Sequence, residues 1–282
     1  MTEFAALARI AEMGGAMSAD VSAPSTVWAL GDYHRFAKEM VWGLGPELVA
    51  ACGIGAGDRV LDVAAGTGNV ALRAAEAGAE VVASDLTPES LGAGRREAQS
   101  LGLELDWVVA DAQALPFEDG AFDVVTSSVG AMFAADHQAV ADELIRVCRP
   151  GGTIGMINFT PEGGVGDFFG VFAPYLPAPP PGALPPVLWG DAEHVRALFG
   201  DRVSSLELTR GRLVERCEGG PREYCDFYRE TFGPAVAAYS DPGRAAAVDR
   251  DFLAFATQTN RGAEAGPSEY HYGYLLLVAR KP

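Results

Sequence analysis

The chain has 282 residues, with 21 Lys and Arg against 38 Asp and Glu, giving a formal net charge of −17. So acidic a surface repels nucleic-acid phosphates, which proteins normally grip through clustered Lys and Arg, and it favours a small-molecule partner. With 49% hydrophobic residues the chain can bury a large core, so disorder is excluded as its default, and no apolar run approaches the ~20 residues of a membrane helix.

The amino terminus carries Glu3 and no basic stretch, so no secretory signal is read there and a cytoplasmic setting is expected. Cys52, Cys148, Cys217 and Cys225 form no disulfide framework, and the four histidines are scattered, so no metal site is expected. Residues 1–57 read as an amino-terminal helical cap. From about residue 58, short β-branched runs alternate with Ala-rich helical stretches, the pattern of an α/β fold with a parallel sheet. Strands are predicted at Arg59–Val63, Glu80–Ser84, Leu105–Ala110, Phe122–Thr126 and Thr153–Asn158. Helices are predicted between them at Gly68–Ala77, Pro88–Leu101 and Ala134–Cys148. Parallel neighbours need crossovers of this length, so the core over 58–160 is a doubly wound, Rossmann-like sheet.

The regularity ends near Thr160. Residues 161–190 hold eight prolines, including Pro179-Pro180-Pro181, so a long irregular segment is expected, with one helical turn near Asp167–Val171. A helix near Asp191–Phe199, a strand at Val203–Arg210 and a helical region over Pro221–Thr259 follow. Residues 161–267 are thus an insertion suited to covering a substrate, and Tyr270–Ala279 reads as a last strand within 268–282.

The chemistry is concentrated in Val60-Leu-Asp-Val-Ala-Ala-Gly-Thr-Gly-Asn69. A buried strand, then Gly66 and Gly68 opening a helix, let a ligand approach the backbone and meet unpaired N–H groups. The same glycines match a dinucleotide fingerprint with Asp85 beyond it, so they do not separate NAD from S-adenosylmethionine. Asp62 does, because a carboxylate before the turn repels a diphosphate and attracts an ammonium. Asp62, Asp85 and Asp111, at three successive strand ends, suit a cofactor with an ammonium, a ribose diol and an adenine.

The strings VLDVAAGTGNVAL, VVASDLTPESL, VVADAQALPFEDGAFDVVTSS and ELIRVCRPGGTIGMINF together resemble class I S-adenosylmethionine-dependent methyltransferases, especially the ubiquinone/menaquinone C-methyltransferase-like branch. The resemblance covers about half the chain and fades over 161–267. It implies a seven-stranded sheet closed by an antiparallel edge hairpin. It implies that Asp62, Ala64, Gly66, Thr67 and Gly68 cradle the methionine part of the cofactor. Asp85 would then hold the ribose with Leu86 beside the adenine, Asp111 and Ala112 would meet the adenine amine, and Ser127 and Ser128 would lie beneath the methyl group. The family's first glycine is Ala64 here.

Methyl transfer needs the acceptor held in line behind the methyl group, and a general base is optional. His34 and His137 are the candidate bases, and Tyr33, Phe133, Trp189 and Tyr228 the candidate acceptor contacts. The expected acceptor is aromatic or lipophilic, and a homodimer is left open. Two other readings stay open at this level: a nicotinamide-dependent oxidoreductase, and a protein that binds S-adenosylmethionine without transferring methyl.

Overall fold

The computed structural model describes residues 27–263 and 266–282, so the leader reading at Glu3 and the first part of the 1–57 cap lie outside the described residues. Seven strands form one mixed sheet: β1 (Arg59–Val63), β2 (Glu80–Asp85), β3 (Asp106–Val109), β4 (Phe122–Ser128), β5 (Cys148–Phe159), β6 (Ser205–Cys217) and β7 (Ser268–Arg280). Their order is β3-β2-β1-β4-β5-β7-β6. The first five run parallel, and β7 lies antiparallel between β5 and β6, pairing Phe159 with Tyr274 on one side and Gly211 with Tyr274 on the other.

Helix α1 (Tyr33–Phe36) runs into a π-helical turn over Ala37–Val41, and α2 (Leu44–Cys52) completes the amino-terminal layer. Next come α3 (Asn69–Glu76) and α4 (Pro88–Leu101). The latter has Pro88 in its first turn, where a missing N–H costs nothing, and Gly102 past its end in the left-handed region. Right-handed crossovers put α3 and α4 on one face, where α2 packs against α3, and α5 (His137–Val147) and α7 (Ala192–Phe199) on the other. Asp136 and Asp191 cap those two helices, accepting from Ala139 N at 3.0 Å and His194 N at 2.8 Å. The Asp136 cap is why α5 starts at His137 and not at Ala134, the predicted start.

The segment after Thr160 is more regular than its prolines imply. Helix α6 (Val165–Phe172) precedes short 3-10 turns at Ala173–Tyr175 and Pro186–Gly190. The helical region splits into α8 (Pro221–Thr231), α9 (Gly233–Tyr239) and α10 (Ala245–Thr259). Phe168, Phe172, Tyr224, Tyr228, Phe232 and Phe252 knit α6, α8 and α10 through edge and tilted ring contacts 4.6–6.0 Å apart. Aromatic pairs of this kind add ~0.5–1.5 kcal/mol each beyond their buried area.

Candidate active site

The strand order reverses between β1 and β4, and in open α/β sheets that reversal leaves a crevice at the carboxyl ends of the strands. A cavity of about 430 Å³ fills it. Its floor is Ala64 and Gly66 after β1, Asp85 and Leu86 ending β2, Ala110 to Gln113 after β3, and Val129 and Gly130 after β4. Its far wall is Trp28, Phe133, Ala134, Ala135 and the strap residues Pro179, Pro180, Ala183, Leu184 and Pro186.

The backbone here is bent to make room. Ala64 and Val129 adopt φ of +53° and +57°, a region that a Cβ disfavours and a branched Cβ disfavours more. The two turns interlock: a Cβ on Gly130 would come 2.2 Å from the Ala64 carbonyl oxygen. Such strain clusters at ligand clamps, where the surrounding fold holds it in place.

Asp85 is half-buried at the floor. Its carboxylate accepts from Gly66 N and Thr87 N, both at 2.8 Å, which fixes the glycine turn and leaves lone pairs toward the cavity. Burial outweighs these donors and holds its pKa above the usual carboxylate value. Tyr33 closes over the turn, its ring edge 3.3 Å from where a Gly66 Cβ would stand, and burial and the neighbouring Asp85 raise its phenol pKa. Tyr33 therefore stands at the glycine turn and meets the apolar wall edge-on at Trp28, ring centroids 6.0 Å apart.

Asp62 is placed differently from the sequence expectation. It is 1% exposed, outside the cavity lining, and its oxygens accept from Ala71 N at 3.1 Å and Thr126 Oγ1 at 3.0 Å. Burial pushes its pKa up to about 7. It thus ties β1 to β4 and α3 beneath the turn. Asp111 lines the cavity, but its carboxylate already accepts from the backbone N of Gln113 at 2.9 Å and from its side chain at 3.1 Å. Gln113 in turn accepts from Asp136 N at 2.9 Å, coupling the third strand end to the α5 cap.

Ala64, Gly66, Asp85, Leu86, Asp111, Ala112, Tyr33 and Phe133 are brought together by the fold. Other expected site residues are not. Gly68, at φ +88°, opens α3 against Trp107, whose ring a Cβ would meet at 2.8 Å. Thr67 and His34 line a neighbouring recess between α1 and α4, where His34 Nε2 lies 3.3 Å from Glu97. Ser127 is buried and accepts from Ala131 N at 3.1 Å, and Ser128 lies outside the lining. His137 and Trp189 are wholly buried behind the wall, ring against ring, and neither lines the cavity. Tyr228 is buried and donates to Glu215 at 2.7 Å. Sequence reading missed Gln113, Val129, Gly130, Trp28 and Leu184. Of these only Gly130, just past a strand end, carried a local signal.

A strand-end crevice with a glycine turn and carboxylates after β2 and β3 defines a nucleoside-cofactor α/β enzyme. Comparison with known proteins narrows the class. A family model described as a methyltransferase domain matches residues 60–152. The uncharacterized protein Rv1405c of Mycobacterium tuberculosis is 46% identical over 259 residues, 90% of this chain and 93% of that one. Demethylmenaquinone methyltransferase of Thermus thermophilus is 48% identical over 105 residues, 36% of this chain and 48% of that enzyme. The crystal structure of YcgJ from Bacillus subtilis superposes with a TM-score of 0.58 at 19% identity, over 85% of this chain and 97% of that one. The chain belongs to the class I S-adenosylmethionine-dependent methyltransferases. Its cofactor is S-adenosylmethionine, and the nicotinamide reading of the glycines falls away.

The residues present fit that cofactor. Only a glycine is accommodated without strain at Gly66, whose φ is +57°, beneath Tyr33, and the Asp85 carboxylate faces the cavity from the floor. Among the described residues no helix is long and apolar enough to cross a membrane.

Proposed function

We propose that this methyltransferase acts on a small, apolar acceptor, aromatic or lipophilic, by in-line displacement. The observation that carries the reading is the division of the cavity: carboxylates and glycines line its floor, while its far wall is Trp28, Phe133, Ala134, Leu184 and Pro186. Binding sites for small molecules are built in this way, apolar with a few placed polar groups. The similarity to a demethylmenaquinone methyltransferase is in keeping with it.

In this reading Gly66 and Ala64 give the methionine part a close approach to the backbone. Asp85 takes the ribose hydroxyls on the lone pairs left by Gly66 and Thr87, and Leu86 and Ala112 flank the adenine, with Asp111 near its amine. S-adenosylmethionine supplies an activated sulfonium methyl group. The chain's task is to hold the acceptor's nucleophilic atom behind it, and orientation of this kind contributes ~7–11 kcal/mol toward the barrier. The strap over residues 177–186 covers the acceptor and excludes water.

Methyl transfer from labelled S-adenosylmethionine to a panel of apolar phenols, quinols and polar amines tests this. Activity confined to apolar members is expected, and activity confined to polar amines overturns the acceptor assignment.

A further inference from the structure

Behind the apolar wall lies a group of polar side chains that keep unpartnered atoms inside the protein. His137, Trp189 and Asn158 are each 0% exposed. Among the described residues, His137 Nε2, Trp189 Nε1 and both amide atoms of Asn158 have no hydrogen-bond partner. A buried group left so costs ~1–3 kcal/mol, and four of the nine such atoms among the described residues belong to these three side chains.

The fold packs the elements that carry Trp189 and His137 against β5, which carries Asn158. Asn158 is next to last in β5. Gly155, three residues earlier, faces Cys52 and Leu48 of α2, so strand alternation turns Asn158 to the opposite face, where α5 packs. The Pro186–Gly190 turn is laid on that strand end: a Cβ on Gly190 would come 2.1 Å from the Phe159 carbonyl oxygen. Trp189 in that turn sits 5.4 Å, ring to ring, from His137 at the start of α5. His137 is held from behind by His194, Nδ1 to Nε2 at 3.0 Å.

Two of these elements adjoin the cavity wall through chain neighbours, and β5 adjoins its floor through a backbone hydrogen bond. Pro186 opens the turn that carries Trp189, and Ala134 and Ala135 precede His137. Val129, on the cavity floor, donates to the Ile157 carbonyl one residue before Asn158, at 2.8 Å. The covering strap is fastened to the wall by a long backbone hydrogen bond, Leu184 N to Ala135 O at 3.4 Å.

Resting on the acceptor reading above, we infer that Asn158, Trp189 and His137 form a recess behind the wall that receives a ring hydroxyl or carbonyl oxygen of the apolar acceptor when the strap lifts. An indole N–H and an amide NH₂ donate to such an oxygen, and the amide oxygen or imidazole nitrogen accepts from a hydroxyl. A recess built to bond one oxygen discriminates strongly against an analogue that lacks it.

The test uses the full chain saturated with S-adenosylhomocysteine, with 2-naphthol and naphthalene as probes. Calorimetry gives the two affinities, and the Trp189 indole ¹⁵N–H resonance, assigned with Trp189→Phe, reports contact. The wild type is expected to bind 2-naphthol at least tenfold more tightly than naphthalene and to shift that resonance with 2-naphthol alone. Asn158→Leu and Trp189→Phe are each expected to cut the preference below about threefold with S-adenosylhomocysteine affinity unchanged. Equal affinities in the wild type, no binding of 2-naphthol, an unmoved indole resonance, or a preference kept by both variants overturns the inference. Failure of S-adenosylhomocysteine itself to bind would instead count against the cofactor site.

Discussion

The cavity floor depends on two residues in conformations that glycine prefers. Ala64 carries a left-handed φ at the place where the resembling family has its first glycine. Holding an L-residue there costs ~1–2 kcal/mol, and glycine's extra unfolded-state entropy offsets about half of it. Ala64→Gly is therefore expected to leave the protein as stable or up to ~1 kcal/mol more so in urea unfolding. Gly130→Ala behaves oppositely, because its new methyl would press on the Ala64 carbonyl. Loss of S-adenosylhomocysteine binding by calorimetry is the expected outcome, while α5 and the sheet keep their far-ultraviolet signal. Asp85→Ala removes the acceptor that fixes Gly66 and that is proposed to take the ribose; charged hydrogen bonds of ~1.5–3 kcal/mol each imply at least a tenfold weaker cofactor. The places of Asp85 and Gly66 in the crevice were legible because each lies at or just past the end of a strand marked by a short β-branched run. The placement of Asp62 was not, because its partners Ala71 and Thr126 come from a helix and a strand that only folding brings beneath the turn.

Among the elements, β6 was the hardest to read. The prediction ended at Arg210, yet the strand continues to Cys217. Leu206 and Leu208 alternate with polar residues and mark its first part, whereas Arg210-Gly-Arg212 breaks that alternation before burial begins at Leu213 and Glu215. Glu215 is buried against Tyr224 and Tyr228, whose hydroxyls it accepts at 3.1 and 2.7 Å. Burial pushes its pKa up to about 7. An acid raised in the folded state carries no penalty below its ordinary pKa of 4.5 and a growing one as pH rises toward 7, beyond which the penalty is constant. Glu215→Gln is therefore expected to gain stability relative to wild type between pH 5 and pH 8, by up to ~3 kcal/mol, read from urea unfolding at the two pH values. A constant difference would show that the carboxyl ionises as freely folded as unfolded. The helical region over Pro221–Thr259 was foreseen as helical, but its divisions were not, although Pro234 in a first turn announces a new helix and Asp241-Pro242-Gly243 is a turn signal before the last.

For the whole molecule, the parallel half was legible because each strand and crossover repeats one local pattern, and its site residues end those strands. The half after Thr160 was read only coarsely: its aromatic residues pack on one another across α6, α8 and α10, a tertiary arrangement with no sequence period of its own. Cofactor binding couples to the stability of the entire fold. S-adenosylmethionine or S-adenosylhomocysteine at about 100 times its dissociation constant stabilises by ~2.7 kcal/mol. For a chain of this size that raises the unfolding midpoint by roughly 5–10 °C, with NADH giving no rise, in a thermal scan.

The position of β7 has a consequence for the newly made chain. β6 is an outer strand whose ladder in this sheet is formed with β7 alone, and β5 needs the same partner on its far side. During synthesis both strands emerge from the ribosome some fifty residues or more before the segment that joins them. Until it arrives, Ile154, Met156 and Ile157 face an open ladder, an invitation to pairing with another nascent chain. The parallel half can form early, but closure of the sheet is a late, long-range event. Substitutions that weaken β7 would therefore be felt first as lost soluble yield, before any loss in the catalytic rate of molecules that complete folding.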